Sequence, residues 1–385
     1  MNRTLTSRII VNGIRKSSTE VLIPFATIYL AHTYGKSITG FIIVAILLSG
    51  TAFNFIGGYL IEKYHIKTIL ITTEIFHISS LLFMLISSIY GSHTLFIFFY
   101  FVKNLFFSMM IPSNEAILAI SSENKSKTYT LNQWVISFVV PIFSIIGAYL
   151  FEVNFSWVIF ISLTLSIACL IITWFFLPTP DEKYNRDKNS FNININFKYF
   201  SLWLPLVMLT SISFVFPTYF AISLSNVSDI DINGLLTFSG IEFFGLLRFL
   251  SSLAPFVFIL LYRKWLFSIQ SKQKLTLTCA LWCGLTLYLY FFSGDNGLLM
   301  MSLVILLSIL SAIYYPPLYA KLIETISDNN GFLYSMSSLV GRVANMIASA
   351  LLIISDNSLL MFWLLVTLSI ASVLSIYIAE RSITE

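Results

Sequence analysis

The chain has 385 residues, 57% of them apolar and 10% charged, with a formal net charge of +4 and a mean hydropathy of +0.86. A soluble domain carries about a quarter charged residues, so this composition excludes a soluble globular protein, and the small positive balance, explained below by loop topology, excludes a nucleic-acid binder. Apolar runs long enough to cross a hydrocarbon core, which needs roughly 20 residues per helix, recur along the whole chain and define an all-α polytopic membrane protein.

In chain order these runs predict twelve transmembrane helices, at 9–32, 38–61, 68–90, 94–117, 131–152, 156–177, 200–223, 235–262, 274–293, 297–322, 332–354 and 358–379. The first is too long and too interrupted by charge for a removable signal peptide, and it lacks a small-x-small cleavage site. The longest polar break, "PTPDEKYNRDKNSFNININFK", separates six runs from six, which divides the chain into an N-terminal half (1–177), a linker (178–198) and a C-terminal half (199–385). With the N-terminus cytoplasmic, sixteen basic residues fall inside, among them Arg3, Arg8, Lys63, Lys67, Lys125, Lys127, Arg263 and Lys264, against Lys36 alone outside. That asymmetry predicts both termini in the cytoplasm, in the manner of a bacterial inner-membrane protein. "PSNEA" at 112–116 and "PPLYA" at 316–320 share Pro and Ala near the cytoplasmic end of the fourth run of each half, a faint trace of a duplicated six-helix unit. Cys169, Cys279 and Cys283 lie inside apolar runs, where packing explains them better than a disulfide framework or a zinc site.

The first run carries Arg15, Lys16 and Glu20 within "NGIRKSSTEVLIPFATIYL". Glu20 lies roughly 16 Å along a helix that begins near Ile9, close to the bilayer centre. A charge at a helix centre costs about 2.5–3.5 kcal/mol on insertion scales, so these three require partners or water. Lys16 and Glu20 are one turn apart, with Asn12 and Thr27 along the same side, which makes a polar stripe suited to a central cavity. The alternative is that Arg15 and Lys16 mark the membrane interface and extend their charged ends outward. Other polar residues inside the runs are Glu74 and His77 in the third, Lys103 and Asn104 in the fourth, Glu242 and Arg248 in the eighth, and Arg342 and Asn345 in the eleventh. Glu242 and Arg248 are six apart, which favours separate partners over a pair with each other. Five basic groups in the runs, Arg15, Lys16, Lys103, Arg248 and Arg342, against Glu20, Glu74, Glu115 and Glu242, point to an anionic, zwitterionic or peptide-like cargo anchored by Arg15, Lys16, Arg248 or Arg342.

Between the second and third runs stands "GGYLIEKYHIKTIL", residues 57–70. It resembles the signature loop of the major facilitator superfamily, with Gly58, Glu62, Lys63 and Lys67 at matching places and His65 and Thr68 departing from the pattern. "KSITGFIIVAILLSGTAFNFIGGYL" and the 4/5 loop with the fifth run are similar to twelve-span drug/proton antiporters, although the exporter motif of the fifth run survives here only as Pro141 and Gly147. The resemblance implies two six-helix halves around a cavity lined by helices 1, 4, 7 and 10, with 2, 5, 8 and 11 beside them. The cavity candidates on this reading are Arg15, Lys16, Lys103, Asn104, Glu242, Arg248, Arg342 and Asn345. It also implies a conformational latch in which Glu62 meets the start of helix 11 near Gly331, while Lys63 and Lys67 meet Glu115, Glu123 or anionic lipid headgroups.

The function implied is a proton-coupled secondary transporter, an exporter of a small or peptide-like toxic molecule, with Glu20 as the proton-coupling group; efflux of this kind confers drug resistance. An importer of a nutrient or small peptide and a lipid flippase on the same scaffold are the alternatives. With no Walker loop, no HExxH and no His/Asp cluster in a loop, neither an enzyme nor a cofactor is expected.

Overall fold

The computed structural model describes residues 3–120, 125–177, 197–232, 236–266, 272–293, 296–324, 331–355 and 357–382. Apolar residues without water must satisfy every backbone amide locally, and the chain does so with helices almost throughout. The N-terminal set comprises α1 (Arg3–Tyr34), α2 (Lys36–Lys63), α3 (Ile66–Ile89), α4 (His93–Ile120), α5 (Lys125–Val153) and α6 (Phe155–Phe176). The seventh span is composite: α7 (Phe197–Val215), a π turn (Phe216–Phe220) and α8 (Ala221–Ser225). Then follow α9 (Gly240–Leu266), α10 (Lys272–Phe292), α11 (Gly297–Glu324), α12 (Gly331–Ile353) and α13 (Ser358–Ser382), so the predicted spans 8 to 12 correspond to α9 to α13. Several helices, α1 and α5 most of all, run past the predicted ends, because polar residues at headgroup depth continue a helix that hydropathy alone would stop, while α3, α6, α10 and α12 end within a residue of them.

Eight of these helices are long and apolar enough to cross a membrane, and three more contain shorter apolar stretches, Phe138–Val153, Thr276–Phe292 and Leu339–Ile353. The remaining one, α1, carries Arg8, Arg15, Lys16 and Glu20. Large apolar side chains face outward along the spans, as with Ile38, Phe41 and Leu48 on α2 and Phe98 on α4, where acyl chains take the place of water. The π turn falls at Pro217, which has no amide to donate, and the hydroxyl of the next residue, Thr218, donates to the Phe214 carbonyl at 2.7 Å.

Two departures from the expected layout bear on the site. β1 (Ile230–Ile232) and β2 (Leu236–Phe238) pair as a two-stranded antiparallel ribbon, so the eighth span starts at Gly240 rather than at 235. Arg8, predicted on the cytoplasmic surface, is fully buried inside α1.

Within the first set α1 packs on α5 and α6, and α3 on α4 and α6; within the second, α7 packs on α12 and α13, and α9 and α10 on α11. The sets meet along two seams, α5 with α9 and α2 with α12. We call the ends of the bundle the Gly35 face and the His65 face, after the turns between α1 and α2 and between α2 and α3. Gly35 has φ 81°, a left-handed value that favours glycine. On the Gly35 face both seams are tight. A Cβ on Gly245 would stand 2.3 Å from the Ala148 Cβ, and one on Gly40 would stand 2.8 Å from the Ser349 carbonyl oxygen. Three further bonds tie the sets together at that end: His32 to Ser225 at 3.1 Å, Ser37 to the Ile353 carbonyl at 3.1 Å, and Ser239 to Glu152. Towards the His65 face, α2 and α12 exchange reciprocal bonds, Asn54 Nδ2 to the Ser335 carbonyl at 2.9 Å and Ser335 Oγ to the Asn54 carbonyl at 3.2 Å.

Candidate functional site

Successive residues on a helix point about 100° apart, and this alone separates the charges of α1. Lys16 and Glu20 face a cavity of about 370 Å³ between the two sets, whereas Arg15 faces α3 and α4. Glu20 Oε1 receives Lys16 Nζ at 3.0 Å, and Oε2 is in close contact with Arg248 Nη2 from α9. One carboxylate therefore joins a cation of its own half to a cation of the other. The pair is not sealed from water: the side chains of Glu20 and Arg248 keep 17% and 15% of their exposure, and Lys16 keeps 44%. The rest of the wall comes mainly from the second set, with hydroxyls from Ser251, Ser252, Thr286, Ser308 and Ser311 among aromatic side chains. It offers several neutral hydrogen-bonding groups around one charged centre, the usual composition of a small-molecule site.

Arg15 leaves the list of cavity candidates. Its Nη2 binds Glu74 of α3 and its Nη1 donates to Asn114 Oδ1 of α4 at 3.0 Å, all three buried within the first half. Arg8 lies seven residues earlier, on the same face by two helical turns, and is the side chain that our reading of the sequence misplaced. Its three side-chain nitrogens make no hydrogen bond among the described residues, and Glu74 and Glu115 are within electrostatic reach. The signal that finds it is the seven-residue spacing to Arg15. Asn12, expected on the cavity stripe, donates instead to Asn132 of α5 at 3.3 Å.

Glu242 also leaves the cavity. It is exposed in the first turn of α9, where its carboxylate accepts from the Ser239 amide at 3.1 Å while Ser239 Oγ accepts from the Glu242 amide at 3.2 Å, a reciprocal cap of the helix start. The ribbon moved the helix start to Gly240, which put this acid at the membrane edge.

Asn104 and Arg342 come together elsewhere, at Gly50 on the seam of α2 with α12, with Lys103 within electrostatic reach of Arg342 and Asn345 one turn further along α12. Asn104 Nδ2 donates to the Ile46 carbonyl at 3.0 Å, and Asn345 Oδ1 lies 3.4 Å from Ser349 Oγ. Lys103 is buried with its Nζ 5.3 Å and 5.7 Å from the ring centres of Phe107 and Tyr100. His77 packs against the same stretch, its Nδ1 3.3 Å from the Lys103 carbonyl, in line with a packing role.

The latch residues are placed only in part. Gly58 is buried, and at its neighbour Gly57 a Cβ would stand 2.2 Å from the Met109 carbonyl oxygen of α4. Lys67 donates to the Leu177 carbonyl at the end of α6 at 2.6 Å, and Lys63 sits 4.4 Å over the Tyr59 ring. An orphan carbonyl at the partly negative end of a helix is a suitable partner for a lysine. Glu115 is half-buried in α4; the Glu62 side chain and Glu123 lie outside the described residues.

Among the described residues, twelve helical spans, eight of them long and apolar enough to cross a membrane, form two sets with a polar cavity at their interface and an ion pair across it, an arrangement of the multi-pass membrane transporter kind. The Major Facilitator Superfamily model matches residues 10–349, and the chain belongs to that superfamily. Among solved structures it is similar to the xylose transporter XylE from E. coli in a partially occluded inward-open conformation (TM-score 0.73, 12% identity, 98% of each chain). It is similar as well to the E. coli fucose:proton symporter FucP (TM-score 0.67, 14% identity, 98% of each) and to the nucleoside transporter NupG (TM-score 0.70, 11% identity, 98% of this chain and 100% of that one). At these identities the likeness is one of fold. A curated relative, a Na(+), Li(+), K(+)/H(+) antiporter from Planococcus maritimus, is 25% identical over 175 residues; the match spans 44% of this chain and 41% of that protein's length.

Proposed function

We propose that the protein is a proton-coupled secondary transporter working by alternating access, and that it exports a small anionic, zwitterionic or peptide-like molecule in exchange for protons. The observation that carries this is the Glu20 carboxylate, held in the cavity between Lys16 of one half and Arg248 of the other. Protonation of Glu20 removes the charge that holds Arg248, so the guanidinium is released to a substrate and the halves lose a tie. The Glu20 carboxylate and an anionic group thus compete for Arg248, so protonation of Glu20 and anion binding are linked within one cluster, which is the minimum a coupled carrier needs. Each proton moving inward under 100 mV supplies about 2.3 kcal/mol for the exchange.

With the orientation read from the basic residues, the Gly35 face is the outer one, and the tight seams there would close the cavity to the outside in this conformation. The antiporter relative favours exchange against protons. Its alkali cations suit this cavity poorly, since Glu20, the one carboxylate on its wall among the described residues, is already held by two cations. Import by symport is the second reading, favoured by FucP, whose name is that of a proton symporter.

The test is reconstitution into liposomes with trapped pyranine under an imposed potential, adding a panel of organic anions and zwitterions. A compound that drives proton movement through wild type is expected to drive none through Glu20→Gln. Equal proton movement in that variant removes Glu20 from the mechanism, and the sign of the movement separates antiport from symport.

A further inference from the structure

The Glu20 cluster does not use the most heavily buried cations between the halves. Arg342 of α12 is 6% exposed and Lys103 of α4 is 2% exposed, and both lie mid-helix, far from either headgroup layer. Among the described residues no carboxylate pairs with either, and the Nε and Nη1 of Arg342 donate to nothing. Isolated charges are costly in such a place, and evolved interiors pair them or bind something between them.

The surroundings are shaped for the second course. Gly50 leaves a notch in α2 facing α12. Three polar atoms surround the point where its Cβ would stand: Arg342 Nη1 at 2.5 Å, Asn104 Nδ2 at 2.7 Å and Ser108 Oγ at 2.7 Å. All three carry donor hydrogens: Asn104 Nδ2 spends one on the Ile46 carbonyl and Ser108 Oγ spends its own on the Asn104 carbonyl, which leaves Arg342 Nη1 and the second Asn104 N–H, and Lys103 lies within electrostatic reach of Arg342. Neither cation belongs to the wall of the Glu20 cavity, so this is a separate place.

We infer that Arg342, Lys103 and Asn104 form an anion-binding site at the seam of α2 and α12, which takes the carboxylate or phosphate group of a small organic anion. Arg342 and Lys103 supply charge, the Asn104 amide supplies direction, and Gly50 supplies room for the guanidinium. Opening of the seam, as the halves rock, admits the anion. The identification of this anion as cargo rests on the transporter reading above; the binding itself does not.

The probes are sodium phosphate and sodium succinate, titrated against the unfolding midpoint of the detergent-purified full chain at ionic strength balanced with sodium chloride, with choline as cationic control. Ligand binding raises the midpoint by mass action. Wild type is expected to show saturable stabilisation by at least one anion and none by choline; succinate alone would specify a carboxylate, phosphate alone a phosphate. In Arg342→Gln and Lys103→Gln the half-saturating concentration is expected to rise about tenfold or more. Without anion, Arg342→Gln is expected to unfold at a higher temperature than wild type, because an uncompensated buried charge is gone; a purely structural arginine would give the opposite. Should Arg342→Gln not fold, Arg342→Lys, which keeps the charge and loses the fork, is expected to bind severalfold more weakly. No saturable response in wild type, or an unchanged response in the variants, overturns the site. Glu20→Gln separates the two readings: it is expected to keep the anion response while losing proton movement, and either result can fail without the other.

Discussion

The seam of α5 with α9 offers the most direct way to push on the conformational equilibrium. A methyl group on Gly245 would lie 2.3 Å from the Ala148 Cβ, whereas carbon atoms in contact prefer about 3.5–4.0 Å. Both atoms are rigidly attached to helix backbones, so Gly245→Ala cannot be relieved by a rotamer, and the helices must part by roughly 1.2–1.7 Å. Overpacking of this kind costs about 1–3 kcal/mol, and here it is charged only to the state in which the two halves touch, so the ratio of closed to open Gly35 face should fall about 5- to 150-fold. The assay is disulfide formation between cysteines replacing Glu152 and Ser239, which meet across that seam; the three native cysteines are buried. The rate of cross-linking in membranes is expected to drop in Gly245→Ala. Gly147→Ala is the control: its new Cβ meets the Phe25 ring at 2.8 Å within the first half, so stability should fall without a change in cross-linking. Unaltered cross-linking in Gly245→Ala, or an equal drop in both variants, would refute the assignment of this seam as a gate.

Two further outcomes follow from the buried contacts. Arg15→Gln leaves the Glu74 carboxylate without its cation and is expected to destabilise the chain by about 3–5 kcal/mol, with partial recovery in the double variant with Glu74→Gln, read as the coupling in a cycle of unfolding midpoints. Gly57→Ala drives a Cβ to 2.2 Å from the Met109 carbonyl, a backbone atom that cannot turn away. Folded yield and midpoint are both expected to fall, by about 1–3 kcal/mol in stability, and a normal midpoint would show that α2 and α4 pack less closely than described.

The contrast between α1 and α9 shows where reading from the sequence stops. Glu20 in the first helix stood out as an acid in an apolar run, and its place one turn from Lys16 was enough to put both on one side of the helix, where they share a cavity. That Arg15, the next residue to Lys16, serves a different purpose needed Glu74 and Asn114, which reach it from 59 and 99 residues away. Glu242 and Arg248 read alike as charges in one apolar run, yet the ribbon before α9 puts the first at a helix cap and leaves the second inside the cavity. Arg8 read as a surface charge because tallies of basic residues assume that those near a helix start lie outside the membrane.

Length, hydropathy and the loop at 57–70 by themselves determined the twelve-span architecture and the superfamily, because a bilayer imposes one local rule, a long apolar helix, that any crossing segment must obey. Only the tertiary structure decided which charges meet. Partners such as Glu20 and Arg248, or Arg342 and the notch at Gly50, lie on helices from opposite halves, and their encounter depends on how two rigid bundles dock. Spacing along one helix records the face on which a side chain stands, and it carries no record of what the facing helix presents there.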